Sequence, residues 1–573
     1  MKSPILFATR SALIAFPALF CACGGGSSLT PGVSADPAAT PPPVAANAPA
    51  LALTLQSAKT FRFTWIDVAG ETEYRLLEDP DGVSGYTSLT PQPLPADTTA
   101  HEHTVFLPAR VNARYILQAC KGTDCVDSNV VKASDNLVDA IGFGKADAPA
   151  GGDAFGHSVA VSDDGGTLAV GAPGEDSDRG GVQEAEDAEA GVSEYSGAVY
   201  VFTREGQGWR QQAFLKDDSP AGLAEFGHSL VLDASGDVLA VGVPGAGQGA
   251  VQIFRRQAGQ WAPWQRLEPS DMGGRFGEAL ALSARGEVLV VGHPLSRAQL
   301  GGTATVFTHD GTNWTQRATL RSAAPDNDDN FGISVAIDGE GRTIAVGASE
   351  DNTTTLFGGA VHVFTGTGAA WGTPQRLVAP FEESDLGFGY TVALSRDGFT
   401  LAVGAAHDGS AATGIDGDPR IGGAPGSGAV HVFSRTDAAS HWGHQAYLKA
   451  SNAEQDDAFG RRGLALSAQG DTLAVGAPYE RSRADGLDGD QGHNGLSDVG
   501  AVYVFRRQGT TWRQQAYVKA SNSDTDDEFG WGLALAAEGH TLAVGAPGEN
   551  SSGGGWQPAQ NDVSGLAGAV YLY

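Results

Sequence analysis

Internal repetition constrains the fold of this chain more than any other feature. Between Asp457 and Ala520 it reads DAFG, LALSAQGDTLAVGAP, a long polar loop, GAVYVF and WRQQAYVKA, and near copies recur on either side. Phe-Gly pairs open units at Phe155, Phe226, Phe276, Phe331, Phe388, Phe459 and Phe529. A period of roughly 40 to 70 residues made of strand-like pieces signals a stack of small sheets. One unit cannot bury both its faces, so the copies must pack on one another. Such an array also lets 573 residues fold without one oversized core.

Each unit runs through four strands. In the first unit these are Ser158-Val159-Ala160-Val161, small and apolar as suits crowding near an axis, then Thr167 to Gly171, Ala198 to Phe202 and Trp209 to Phe214. The second and third are almost continuously apolar, as strands covered on both faces must be. The fourth is more polar and belongs on an outer edge. Four strands repeated seven times predict an all-β chain with a seven-bladed β-propeller. The chain stops at Tyr573 in a third strand, so the last unit needs an outer strand from elsewhere. Lys216, Lys449 and Lys519 each stand ten positions before the next Phe-Gly, and Lys145 stands ten before Phe155. Residues 141–149 are therefore expected to close the ring, which gives a propeller domain over 138–573.

Phe-Gly and Gly-Ala-Pro (Gly171 to Pro173, Gly476 to Pro478, Gly545 to Pro547) recur in order, and in this the chain resembles the FG-GAP repeats of integrin α-subunit heads, above all their bacterial variant. Units 2 and 3 depart from the pattern with Val243-Pro244 and His293-Pro294, and units 4 and 5 lack the proline. By resemblance, calcium would be held by Asp-x-Asp-x-Asp-Gly between the first two strands. Here that connection is too short, as in Asp163-Asp164-Gly165-Gly166, for the six to eight oxygens calcium takes. The remaining candidate calcium ligands are Asp485, Asp488 and Asp490 in one loop and Asp416 with Asp418 in another. A solvated acidic loop is the competing reading, and no cofactor is required.

Upstream, Lys2, Arg10 and the apolar run from Ser11 to Phe20 have the layout of an export signal. Phe20-Cys21-Ala22-Cys23 resembles a bacterial lipobox, with Cys23 as the lipidation site of a 1–23 signal and Phe20 where the family has Leu. That resemblance implies a lipid anchor, and Gly24 implies sorting to the outer membrane. Residues 24–50, rich in Pro, Ala and Gly, form a tether reaching roughly 30 Å. Residues 51–137 hold short strand-like runs and resemble a fibronectin type III β-sandwich, with Trp65 and Tyr115 at its core aromatic positions. Cys120 and Cys125 flank Lys-Gly-Thr-Asp at the end of a hairpin, and an exported chain should join them as a disulfide.

Asp and Glu number 67 against 36 Lys and Arg, a net charge of −31, which makes nucleic acid an unfavourable partner. Loops joining strands 2 to 3, and 4 to the next 1, share one face, and they carry Glu175, Asp176, Asp178, Glu184, Glu186, Asp187 and Glu189 with the acidic connectors Asp326-Asn327-Asp328-Asp329 and Asp524 to Glu528. The opposite face takes Arg204, Arg255, Arg256, Arg506 and Arg507. Long loops fall in units 5, 6, 7 and 1, consecutive around a ring, so that arc is the expected recognition surface, with the sandwich close by. No hydrolase or phosphate-binding motif is present, and His157-Ser158 and His228-Ser229 are strand neighbours pointing to opposite faces. The sequence reading is thus a monomeric, non-catalytic binding or adhesion module of the bacterial cell envelope, periplasmic or surface-exposed, recognising a protein or glycan. A periplasmic assembly scaffold and a hydrolase of surface glycans or lipids are the alternatives.

Overall fold

Strands that are apolar on both faces, as the second and third of each unit are, need a sheet packed against each side. The computed structural model describes residues 48–573 apart from 134, 186–190, 207, 271–272, 297–300, 327, 354–356, 382–384 and 562. The leader with Cys21 and Cys23, the tether up to residue 47, and Glu186, Asp187, Glu189 and Asn327 lie outside the described residues. The fold is all-β, with no α-helix among the described residues. In the first unit Ser158–Val161, Thr167–Ala172, Ala198–Glu205 and Gly208–Leu215 follow one another across an antiparallel sheet. The units opening at Phe226, Phe276, Phe331, Phe388 and Phe459 repeat this meander. In the fourth the outer strand is split into Ala370–Trp371 and Gln375–Leu377, with Pro374, which has no N–H to donate, between them.

The final unit supplies Leu533–Leu535, Leu542–Ala546 and Ala569–Leu572, and Gly142–Gly144 from upstream pairs antiparallel with Ala569–Leu572 as its outer strand. That strand is shorter than residues 141–149, because the Lys145 N–H donates to the Gly555 carbonyl and the chain leaves the ladder there. The signature glycines meet between sheets: a Cβ on Gly171 would lie 2.1 Å from the Gly227 oxygen, and one on Gly545 would lie 1.8 Å from that of Gly156. Only glycine permits so close a backbone approach, and the second of these contacts joins the last unit to the first. The innermost strands touch in the same order, with Leu533–Leu535 against Ser158–Val161. At the far end, the turns between first and second strands are linked through main chain: the N–H groups of Asp163, Ala234, Ala284 and Gly339 donate to the carbonyls of Ala234, Ala284, Gly339 and Arg396 at 2.8–3.1 Å. The arrangement is β-propeller-like, with a central channel.

The N-terminal module has a three-stranded sheet (Ala52–Gln56, Thr60–Thr64, Ala100–Thr104) and a larger one built on Glu73–Asp79 and Arg114–Lys121. Phe61, Phe63, Trp65, Tyr74 and Tyr115 are buried in its core, and the Tyr115 hydroxyl donates to Glu78 at 2.9 Å. Cys120 and Cys125 lie opposite each other across a hairpin and are disulfide-bonded. The module packs on the sixth and seventh units, within the arc that carries the long loops, and its polar ties run to the turn end. Lys59 Nζ donates to the His540 carbonyl (2.6 Å) and Thr541 Oγ1 (2.5 Å), and Arg204 Nη2 donates to Thr104 Oγ1 (3.0 Å). Those repeat residues sit at the end of the channel opposite the long loops. The physical reason for the packing is apolar: Phe61, Tyr115 and Leu107 share one core with Val518, Ala516 and Tyr571, so the module covers outer strands. The connecting turn Asp135–Ala140 does reach a long loop, where the Leu487 N–H donates to the Asn136 carbonyl at 2.9 Å.

Candidate ligand-binding face

The long loops of units 1, 5, 6 and 7 spend much of their length covering their own sheets. Val182–Gln183 pairs with Leu215 and Phe214 of the outer strand, and Ile415, Leu487 and Trp556 bridge to Leu448, Val518 and Gly144 in the same manner. This hides edges that would otherwise present unpaired N–H and C=O groups. Each loop base is fixed by a buried ion pair: Glu175 with Lys216, Asp408 with Lys449 (3.0 Å), Glu480 with Lys519 (2.9 Å) and Glu549 with Lys145, each side chain no more than 2% exposed. Burial lowers the affinity of Lys145 and Lys519 for their protons, and the paired carboxylates oppose it. The built-up arc is therefore in large part edge cover.

The candidate calcium ligands are each engaged separately. Asp416 and Asp488 accept the N–H groups of Tyr447 (2.9 Å) and Tyr517 (2.8 Å), extending the outer strands. Asp418 accepts from Arg420 N–H, Asp485 from Ser523 N–H, and Asp490 from Gly492 N–H and His493 Nδ1. Among the described residues, the cluster with three acidic ligand atoms within 4.8 Å is Asp67, Glu71 and Asp97 in the N-terminal module, which sequence spacing does not reveal.

What converges instead is the residue after each Phe-Gly. His157, His228, Glu278, Ile333, Tyr390, Arg461 and Trp531 line one cavity of about 250 Å³ at the mouth of the channel. Antiparallel pairing places this mouth at the long-loop end, since Phe331 lies opposite Ala348 and Phe388 opposite Ala405, the residues that lead into the strand 2 to 3 loops. The following position is architectural in four units: Ser158, Ser229, Ser334 and Thr391 donate at 2.6–2.8 Å to the carbonyls of Gly227, Gly277, Gly389 and Gly460 on the next sheet. The sixth unit breaks this rule with Arg462. Its guanidinium lies 4.7 Å over Trp531 and 5.8 Å over Tyr390, and that of Arg461 lies 5.7 Å over Tyr390. The Nε atoms of both arginines are buried without a hydrogen-bond partner among the described residues.

Elsewhere in the mouth the charges are matched. Glu278 takes Arg275 at 2.5 Å and His228 at 3.4 Å. Burial opposes its charge, but hydrogen bonds and charge from His228 and Arg275 hold the carboxyl down to about 2. Burial, reinforced by the neighbouring His228 and Arg462, pushes His157 down to about 3, so it is neutral at pH 7. On the rim, burial and then Asp498 push Glu528 up to about 7, against the pull of Arg462. Sequence reasoning missed the mouth because it compared what the repeats share. Aligning the units on Phe-Gly and asking which adjoining column varies would have exposed it.

Among known proteins, no curated sequence matches the chain. Solved structures similar to it include Kuenenia stuttgartiensis hydrazine synthase (12% identity, 73% of this chain and 97% of that one, TM-score 0.42). The Pseudomonas aeruginosa periplasmic gluconolactonase PpgL gives 14% identity, 79% and 98% coverage and a TM-score of 0.39. The WD40 repeats of RRP9 give 12%, 74% and 99%, and 0.42. The FG-GAP repeat matches at residues 314–364, 442–505 and 512–573. Each matched stretch begins in one outer strand and ends with the third strand of the next sheet, which is the same offset that leaves the final sheet to be completed from upstream. These three stretches of the chain are FG-GAP repeats.

Proposed function

We propose that the sheets are the blades of a seven-bladed propeller following a fibronectin type III-like sandwich, and that the whole is a non-catalytic binding or adhesion module. A lipid on Cys23 holds it to the bacterial envelope, and it takes a protein or glycan at the loop end of the propeller. The observation that carries this reading is the mouth itself. Seven equivalent positions converge there with six kinds of side chain, only His occurring twice, while the residues around them repeat. A rigid scaffold with one variable surface is the usual build of a recognition module. A non-catalytic role is supported by the His-Ser pairs, since Ser158 and Ser229 give their hydroxyls to main-chain carbonyls of the neighbouring sheet.

The test is retention of envelope protein and glycan fractions by the full chain, compared with Trp531→Ala and with deletion of residues 489–497, which leaves Glu480 and Leu487 in place. Loss of retention with Trp531→Ala and a smaller loss with the deletion is the expected result. Retention untouched by either change would defeat the reading. Calcium is expected to alter neither retention nor melting temperature, and a shift that substituting Asp416, Asp418, Asp485, Asp488 and Asp490 removes would make those aspartates its ligands.

A further inference from the structure

The arginine pair at the mouth is unusual for a chain this acidic. Arg462 stands where four other units place a Ser or Thr bonded to the adjoining sheet and two place the small Ala279 and Gly532, so the sixth unit alone puts a charged side chain there. Such departures from a local rule concentrate at functional sites. The guanidiniums rest on Tyr390 and Trp531, a stacking that leaves their N–H edges free for a planar acceptor. Among the described residues neither arginine has a carboxylate within ion-pair distance. A carboxylate fits that fork through two parallel hydrogen bonds.

Size and surrounding charge narrow the ligand. About 250 Å³ admits the end of a chain and little more. An internal acidic residue would have to bring two flanking backbones down into the same opening. The rim is acidic: Asp328, Asp385 and Asp526 are exposed there, and they stand near Glu350 and Glu528, whose ionisation is opposed first by burial and then by neighbouring carboxylates. A polyanion would be repelled by that rim, whereas cationic residues just behind a terminus would be attracted.

We propose that Arg461 and Arg462 receive the C-terminal carboxylate of a basic protein tail, whose Lys and Arg residues engage the rim carboxylates. This rests on the loop end being the ligand-binding face. The probes are two Lys-rich decapeptide libraries, alike except that one ends in a free α-carboxylate and the other in an amide, with polyglucuronate as the competing anion. Binding is read on the full chain from tryptophan fluorescence and from retention.

The acid library should bind at least tenfold more tightly than the amide library. Arg461→Gln/Arg462→Gln should abolish the difference without moving the melting temperature, and Arg462→Lys should fall between. Equal binding of the two libraries, binding of neither, or a difference that survives the double variant would overturn the assignment. Polyglucuronate binding as tightly as the acid library would replace the basic tail with an acidic glycan and overturn it too. Should the double variant misfold, Arg462→Lys with an unchanged melt decides alone, and an undiminished preference for the acid library overturns the proposal. Envelope fractions retained equally by the parent and the double variant would sink this inference and leave the broader reading standing. Loss of retention in neither Trp531→Ala nor the loop deletion would sink the broader reading.

Discussion

The two ends of the central channel are made by the same strands and held together in different ways. At the turn end, successive sheets are tied by main-chain hydrogen bonds such as Asp163 to Ala234 and Ala284 to Gly339, and the channel narrows to small residues including Ala284, Ala468 and Ala537. At the loop end main-chain bonds again cross the junctions, as from the Phe226, Phe459 and Phe529 N–H groups to the Ser196, Ser427 and Val499 carbonyls. Side chains carry more of the load there, through hydroxyls aimed at glycine carbonyls of the next sheet and buried Lys–carboxylate pairs that pin each loop to its own sheet. Main-chain bonds survive nearly any substitution; ion pairs and hydroxyls do not. The turn end should therefore tolerate change, while the loop end is where mutation, pH and ligand are felt.

The largest expected effect comes from breaking a loop-end pair. Lys519→Met leaves Glu480 buried without its ammonium and should cost about 3–5 kcal/mol, seen as a much lower denaturant midpoint. A loss no larger than that of a turn-end variant would erase the contrast. Next, Gly545→Ala puts a Cβ against the Gly156 carbonyl at the junction of last and first units, and should cost roughly 1–3 kcal/mol in chemical denaturation. A neutral result would mean that this junction carries little of the ring's stability.

The contrast is sharpened by pH. Burial, with nearby Glu480 and Glu454, lifts the Asp457 carboxyl to about 7, whereas in the unfolded chain it titrates near ~3.9. Between those values the folded chain holds a proton that the unfolded chain has released, so this group's contribution falls as pH rises from about 4 to 7. Asp457→Asn should flatten that slope in melts taken across the window; an unchanged slope would show that the carboxyl titrates normally. The smallest effect belongs to the turn end. Arg396 pairs with Asp163 across the channel, both about one-third exposed, and Asp163→Asn should cost only about 0.5 kcal/mol. A loss comparable to that of Lys519→Met would refute the idea that main chain holds this end.

Much of this was legible from residue order. The repeat fixed the four-stranded sheets, and the ten-residue spacing of Lys145 before Phe155 pointed to the upstream strand that completes the final sheet. The Cys120–Cys125 hairpin likewise followed from spacing. The arc of long loops was legible as well, but its use was not, because whether Val182, Leu487 and Trp556 fold onto an outer strand depends on contacts made after the sheets assemble. The polar ties of the N-terminal module to the turn end escaped for the same reason: Lys59 and Thr541 are 482 positions apart.

By itself, then, the sequence determined the architecture, since periodic apolar residues and paired glycines admit one way of stacking sheets. Only the tertiary structure decided where chemistry collects. Side chains from seven distant positions become neighbours when the sheets stand around a common axis, and that proximity is written in no single stretch of the chain.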